Sequence, residues 1–176
     1  MRLGSKINHF FGMKESEEKR EVLYAPLSGR VLPLSEVKDE TFAGGILGEG
    51  AAILPADNVL TAPTDATVTQ VFDSAHAVTL LTDDGAELLL HVGIDTVELG
   101  GKHFDCPLRE GMRVERGDVL IRFDGAAIEK DGYELTTPLV VCNSDEFEIL
   151  VVAHGAVDKS HPLLELKRKG KRSEGV

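Results

Sequence analysis

Short apolar stretches, each ended by turn residues, recur about every 8–12 residues along most of this chain. Stretches rich in β-branched residues, such as 66–71 and 119–123, alternate with turn signals such as Asp83-Asp84-Gly85. With 18 Gly and 7 Pro in 176 residues, turns are favoured over long helices. The pattern predicts an all-β fold, an antiparallel β-sandwich or barrel with at most short helices, one of them near 125–130. The predicted strands are 22–24, 30–34, 51–54, 59–61, 66–71, 75–82, 86–92, 119–123, 139–141, 148–153 and 163–166.

Charge divides the chain into three parts. The net charge is -11, but residues 1–20 carry +2 and residues 167–176 carry +4, which leaves -17 for the middle. We therefore predict a β-sandwich domain over 21–168 and a basic disordered tail over 169–176. An acidic body of this kind argues against nucleic acid as a partner.

The first 20 residues are predicted to form a basic amphipathic segment. Leu3, Ile7, Phe10 and Phe11 fall on one helical face, and basic residues lie off that face. Such a segment is either disordered or, through residues 1–14, in contact with an anionic membrane surface. Elsewhere, no apolar run has the roughly 20 residues of a membrane span, and two cysteines do not make a disulfide scaffold. We therefore expect a cytoplasmic protein, peripheral at the inner face of the membrane if residues 1–14 bind there.

Two histidines are brought together by the predicted hairpin around Asp83-Asp84-Gly85. If Asp83 and Asp84 form a two-residue loop, His76 lies directly opposite His91 on one face of the sheet. If Asp84 and Gly85 form the loop, His91 faces Val78 and His76 is its diagonal neighbour. Only an odd-length loop or a bulge would place the two imidazoles on different faces. The residues leave three interpretations open: two core histidines, a metal pair, or a nucleophile with a partner imidazole.

Several sequence motifs resemble one family throughout the body of the chain. G-A-E-L-L-L-H-V-G-I-D-T-V-E-L (85–99) is similar to the active-site signature of glucose-class enzyme IIA, from the bacterial phosphoenolpyruvate-dependent sugar phosphotransferase system. Y-A-P-L-S-G-R-V (24–31), F-A-G-G-I-L-G-E-G-A-A-I-L-P (42–55), A-P-T-D-A-T-V (62–68), D-S-A-H-A-V (73–78), E-G-M-R-V-E-R-G-D-V-L-I-R-F-D (110–124) and T-P-L-V-V-C-N (137–143) also resemble that family, in order.

The resemblance implies a phosphotransferase component with a phosphohistidine intermediate. His91 would accept phosphate through Nε2 from the phosphocarrier protein HPr and pass it to a cysteine of enzyme IIB, part of the sugar transporter. His76 would stabilise the phosphate and Ser74 would supply an orienting hydroxyl, where the family usually has Thr; Gly93 and Asp95 also match. The apolar rim that meets partners would include Phe42, Ile46, Leu47, Phe72, Val78, Leu89 and Val97, and Asp39 is also expected to bind partners. No cofactor is required, although a His76–His91 pair is able to bind Zn²⁺ with ligands from outside the chain. Regulated transporters or enzymes are further expected partners.

Two other families remain as alternatives. A biotinyl or lipoyl carrier domain contains sequence motifs of the A-P-L-S-G-R-V type. Such carriers need a lysine at the hairpin tip, whereas the tip here is Asp83-Asp84-Gly85. A lysostaphin-like zinc peptidase would use His91 and Asp95, but it also needs a later H-x-H, which His154 and His161 do not supply. The sugar is set by the membrane subunit, so this chain does not name it.

Overall fold

Antiparallel strands make up most of the regular structure in residues 18–170, which the computed structural model of the protein describes. Most of the predicted amphipathic segment (1–17) and of the predicted basic tail (171–176) lies outside the described residues. Within 18–170, two short α-helices and three 3₁₀ turns accompany the strands, so the predicted all-β class is confirmed.

The strands, in chain order, are β1 (Glu21–Tyr24), β2 (Gly29–Pro33), β3 (Glu49–Pro55), β4 (Val59–Thr61), β5 (Ala66–Val71), β6 (Ala77–Thr82), β7 (Glu87–His91), β8 (Phe104–Asp105), β9 (Arg113–Val114), β10 (Val119–Phe123), β11 (Thr137–Val141), β12 (Phe147–Val151), β13 (Gly155–Val157) and β14 (Pro162–Arg168). The helices are α1 (Glu40–Ala43) and α2 (Gly125–Lys130), and the 3₁₀ turns are Leu34–Glu36, Thr96–Leu99 and Ser144–Glu146. The sequence did not predict the short strands β8, β9 and β13, although it did predict β4, which also has three residues.

The strands form three sheets in the described part of the chain. Eight of them pair in the order β13-β2-β3-β11-β7-β6-β5-β9, and two three-stranded sheets have the orders β1-β14-β12 and β4-β10-β8. All of the pairings are antiparallel. The centre of the large sheet, β11-β7-β6, carries the hairpin with the two histidines.

Two separate apolar clusters pack on opposite faces of that sheet. The main core draws on all three sheets, with Leu23, Leu60 and Leu90 completely buried. Leu88 and Leu90 of β7 point into the main core, whereas Leu89 between them points to the other face, as strand alternation requires. There it joins a second, smaller group, which we call the site cluster; its buried members are Val37, Phe42, Ala52, Ala77, Leu89, Ile94 and Val140.

The hairpin between β6 and β7 has a three-residue loop rather than either predicted two-residue loop. Ala77 pairs with His91 and Leu81 with Glu87, and the Thr82 amide donates to the Ala86 carbonyl at 2.9 Å. The loop therefore comprises residues 83–85, closed by Gly85 with φ +87°. A glycine adopts this left-handed conformation without steric penalty, which permits the three-residue turn. The predicted register was thus wrong by one residue, and the residue opposite His91 is Ala77.

Candidate active site

His91 ends β7 with its imidazole partly buried and its orientation fixed by one hydrogen bond. Nδ1 lies 2.7 Å from the carbonyl oxygen of Gly93. Because a carbonyl only accepts, Nδ1 carries the proton, and in the neutral ring the free lone pair is on Nε2. The pKa of His91 is lowered, first because burial disfavours the imidazolium; the Gly93 carbonyl and the charges of Asp39 and Asp95 act in the opposite direction.

The turn after β7 holds the Gly93 carbonyl in place. Gly93 has φ +75°, and the Ile94 amide donates to the Glu134 carbonyl at 3.0 Å. The buried Thr96 hydroxyl closes the turn by donating to the Val92 carbonyl at 2.5 Å. A Cβ on residue 93 would lie 2.6 Å from Thr96 Cγ2 and 2.8 Å from the Glu134 oxygen. Glycine is therefore required here both by the backbone conformation and by the close packing.

His76 lies next to His91 although the strand register alone would separate them. It precedes β6, and Ala75 before it has φ +54°, which breaks the alternation of the strand. The Val92 amide donates to the His76 carbonyl at 2.8 Å, which joins the two histidine segments. As a result, the ring centroids of His76 and His91 are 4.7 Å apart with an interplanar angle of 83°.

The His76 side chain is 2% exposed and surrounded by rings. The Phe72 and Phe104 centroids lie 5.6 and 6.5 Å from its own, both in edge-on geometry. Its Nδ1 is buried and has no hydrogen-bond partner in the described part of the chain. Burial, and next the neighbouring His91, lower the pKa of His76 to about 4. His76 is therefore neutral at physiological pH.

The three other polar residues predicted for the site differ in how they are placed. Asp39 precedes α1 and caps it, accepting from the Thr41 amide at 2.9 Å. Asp95 has φ +59° and precedes the 3₁₀ turn Thr96–Leu99. Ser74 lies in the turn before His76, and its hydroxyl makes no hydrogen bond with residues 18–170. The charges of both carboxylates influence His91, whereas nothing in these contacts assigns Ser74 an orienting role.

Four of the predicted rim residues, Phe42, Leu47, Phe72 and Leu89, belong to the site cluster or pack against it. Phe42 is 4% exposed, and its ring centroid lies 5.2 Å from that of His91. Leu89 is also buried. These two side chains form a floor, while Leu47 and Phe72 are partly buried beside it. Ile46 and Val97, at 75% and 52% exposure, are the exposed apolar members of the predicted rim.

Val78 does not belong to this rim. It is completely buried in the main core, on the opposite face of the sheet. The reason is the register: Val78 pairs with Leu90, which also faces the main core. Two predictions for Val78 were therefore wrong: that it shares a face with the histidines, which assumed a two-residue loop, and that it belongs to the rim, which the resemblance implied.

Sequence reasoning missed two parts of the site, Phe104 and the Glu134 carbonyl. Phe104 lies beside His76, and the Glu134 carbonyl accepts from the Ile94 amide in the turn after His91; both come from distant positions in the chain, and neither lies in a motif that predicts such a contact. Among residues 18–170, no group of three or more His, Cys, Asp or Glu side chains is arranged to hold a metal ion. The two histidines alone would give zinc two of the four ligands of a tetrahedral site.

The family model described as phosphoenolpyruvate-dependent sugar phosphotransferase system, EIIA 1, matches residues 21–147. The chain belongs to this family. Because the chain belongs to this family, the resemblance to enzyme IIA is confirmed. The two alternative families, the biotinyl or lipoyl carriers and the lysostaphin-like peptidases, are excluded.

Individual enzyme IIA relatives give the same result. The glucose-specific EIIA component of Haemophilus influenzae is 38% identical over 147 residues, covering 84% of this chain and 89% of that protein. The β-glucoside-specific EIIBCA component of Dickeya chrysanthemi is 49% identical over 147 residues, covering 83% of this chain and 23% of that protein. The solved structure of glucose permease IIA from Mycoplasma capricolum superposes with a TM-score of 0.81 at 32% identity, over 85% of this chain and 97% of that one.

This enzyme IIA chain corresponds to one part of some larger relatives. It spans about a quarter of the length of the β-glucoside-specific EIIBCA proteins that it matches. Among the helices of residues 18–170, none has the length and apolar character needed to cross a membrane.

Proposed function

We propose that this protein is a phosphocarrier of sugar uptake, which accepts a phosphoryl group on His91 Nε2 from phospho-HPr and passes it to a cysteine of enzyme IIB. The observation that carries the proposal is the hydrogen bond from His91 Nδ1–H to the Gly93 carbonyl, at 2.7 Å. It leaves Nε2 as the nucleophilic nitrogen of a partly buried, neutral ring. The family of the chain supports the phosphoryl donor and acceptor.

In the first transfer, the His91 Nε2 lone pair forms a bond to phosphorus while the bond from phosphorus to the donor histidine nitrogen breaks. The electron pair of that bond returns to the donor ring. Nδ1–H remains on His91, so the positive charge that develops on its imidazole is stabilised by the Gly93 carbonyl. No proton has to leave the ring. Catalysis is then a matter of positioning and charge stabilisation.

The proposal gives His76 the role of stabilising the transferred phosphoryl group, and its contacts support this role. Because its Nδ1 is buried without a partner, the tautomer with the proton on Nε2 avoids burying an unpaired N–H. That Nε2–H is then available to donate to a phosphoryl oxygen on the neighbouring His91. The phosphoryl dianion would in turn favour the donor form of His76.

In the second transfer, a cysteine thiolate of enzyme IIB attacks phosphorus and the electron pair of the P–N bond returns to His91. Partners would dock on the accessible rim side chains Ile46 and Val97, above the buried floor of Phe42 and Leu89, and exclude water from the reaction. The names of the EIIBCA relatives, in which A is joined to B and C, support enzyme IIB as the acceptor.

Other parts of the proposal rest on the sequence. We include a cytoplasmic location at the inner face of the membrane, contact of residues 1–14 with anionic lipid, and regulated transporters or enzymes as additional partners. Zinc would bind the His76–His91 pair only with ligands contributed by a partner. The transported sugar is a property of the transporter; relatives are named for β-glucoside, glucose and mannose.

The test is reconstitution with phosphoenolpyruvate, enzyme I, HPr and an enzyme IIB domain. We expect an acid-labile, base-stable phosphoryl group on the wild type, located at His91 Nε2 by NMR, and no label on His91→Gln. His76→Gln is expected to accept the label but to transfer it to IIB slowly. His154→Gln, which changes an exposed histidine, is the matched control and should behave as wild type. Full labelling of His91→Gln would refute the proposal, and normal transfer by His76→Gln would refute the role of His76.

A further inference from the structure

The wall behind His76 is formed by a loop that both ends of α2 hold in place. Residues 100–104 run past the turn that precedes His76; a Cβ on Gly101 would lie 3.8 Å from the Ser74 carbonyl oxygen. The loop ends in Phe104, whose ring faces His76 and whose backbone pairs with Phe123 of β10. The position of this loop therefore determines how closely His76 is enclosed.

His103 is the residue of the loop that α2 holds. Its carbonyl accepts from the amide of Asp124, the N-cap of α2, at 3.0 Å. Its Nε2 lies 2.8 Å from Oδ2 of Asp131, the C-cap of the same helix. Residue 103 is thus attached to both ends of a six-residue helix, once through its backbone and once through its side chain.

The backbone of His103 needs such support because it has φ +75°. A non-glycine residue in this region is unfavourable and persists where the surroundings hold it. The imidazole is well covered, with its side chain 17% exposed. The hydrogen bond from His103 is also the first cause that keeps the pKa of Asp131 below its ordinary value, which indicates that the carboxylate is charged in this pair.

We propose that His103 is a positioning residue for His76: its hydrogen bond to Asp131 fixes the left-handed turn at 103 and thereby holds the Phe104 ring against His76. The inference deepens the proposed function, on which it rests, because the enclosed His76 keeps its Nδ1 dry and its proton on Nε2, facing the phosphoryl group. Without the bond, the loop moves, water reaches Nδ1 and the two tautomers of His76 become mixed.

The test uses His103→Ala and Asp131→Ala in the full chain. Alanine at residue 103 removes the hydrogen bond but keeps a side chain at the unfavourable φ of +75°, whereas glycine would adopt this φ without support. We measure the ring ¹⁵N shifts of His76, which report its tautomer, the NOEs between Phe104 and His76, and the rates of the two phosphoryl transfers. Both variants are expected to show mixed tautomers and weaker NOEs, and to transfer to IIB about tenfold more slowly, while His91 is still phosphorylated by HPr. The double variant should add nothing further, since both changes remove the same bond.

Two variants separate positioning from general loss of structure. Lys102→Ala removes the other donor to Asp131, at 3.4 Å, and should leave the His76 tautomer unchanged. Asp131→Asn keeps an oxygen acceptor for His103 and should restore the wild-type NMR signature. A single His76 tautomer and unchanged transfer in both His103→Ala and Asp131→Ala would overturn the proposal. If wild-type His91 is not phosphorylated, the proposed function fails, and the NMR measurements still decide whether His103 positions His76.

Discussion

Gly93 offers the most direct test of how the fold supports the candidate nucleophile. Alanine at this position must adopt φ +75°, at a cost of about 1–2 kcal/mol for an L-residue in the left-handed region. Its Cβ would also press against Thr96 Cγ2 and the Glu134 carbonyl, at 2.6 and 2.8 Å. Relieving contacts of this kind in a packed site costs about a further 1–3 kcal/mol. We therefore expect Gly93→Ala to lower the free energy of unfolding by about 2–5 kcal/mol.

Gly111 is the matched control for this substitution. It has φ +86°, but no atom lies within 4 Å of the position of a Cβ. Gly111→Ala should therefore incur only the backbone cost, about 1–2 kcal/mol. Urea unfolding of the two variants, followed by circular dichroism, measures both values, and their difference isolates the close contacts around residue 93.

The rate of phosphorylation by HPr provides a second measurement on the Gly93→Ala and Gly111→Ala variants. Moving the Gly93 carbonyl disturbs the acceptor that fixes the proton on His91 Nδ1, so Gly93→Ala should be phosphorylated by HPr much more slowly than Gly111→Ala. If Gly93→Ala loses no more stability than Gly111→Ala and is labelled at the same rate, the turn after β7 does not hold His91 in its reactive orientation.

Three further predictions, which use four substitutions, test the burial of the site and of the core. The pKa of His76 is about 4 in the folded protein and ordinary in the unfolded chain, so protonation favours unfolding: stability is lost as the pH falls through about 6.5 towards 4, by about 2 kcal/mol between pH 7.5 and pH 5. His76→Leu should remove this part of the pH dependence in urea titrations, and an unchanged pH profile would contradict the burial effect. Leu90→Ala, at a completely buried position, should cost about 2–5 kcal/mol, whereas Leu150→Ala, at 49% exposure, should cost less than about 1 kcal/mol; equal losses would be inconsistent with the described core. Thr96→Val leaves the buried Val92 carbonyl without its donor and should lower the unfolding free energy by about 1–3 kcal/mol. An unchanged unfolding free energy would show that this hydrogen bond is not formed in solution.

Sequence patterns were sufficient for the fold class and for most of its strands, because alternation and turn residues are local signals. The register of the central hairpin was not predictable in this way. It depends on whether Gly85 closes a three-residue loop, and the same letters allow loops of two or three residues. That one-residue difference moved Val78 from the rim to the main core.

The proximity of the two histidines was predicted for the wrong reason. In the actual register His76 would face away from His91, but the left-handed Ala75 redirects it. Such a conformation at a non-glycine residue has no signature in a single sequence. Phe104 and the Glu134 carbonyl were missed because tertiary contacts, rather than any motif, bring them to the site.

The separation of the site cluster from the main core has a consequence for how such a protein diversifies. Adjacent residues of β7 belong to different apolar groups, Leu89 to the outer one and Leu90 to the inner one. Substitutions of exposed side chains around the site cluster, rather than of its buried members, can therefore accumulate with little effect on the interior that keeps the sandwich folded. Selection for a new docking partner and selection for a stable domain then act on different residues, and a lineage can change one without compromising the other.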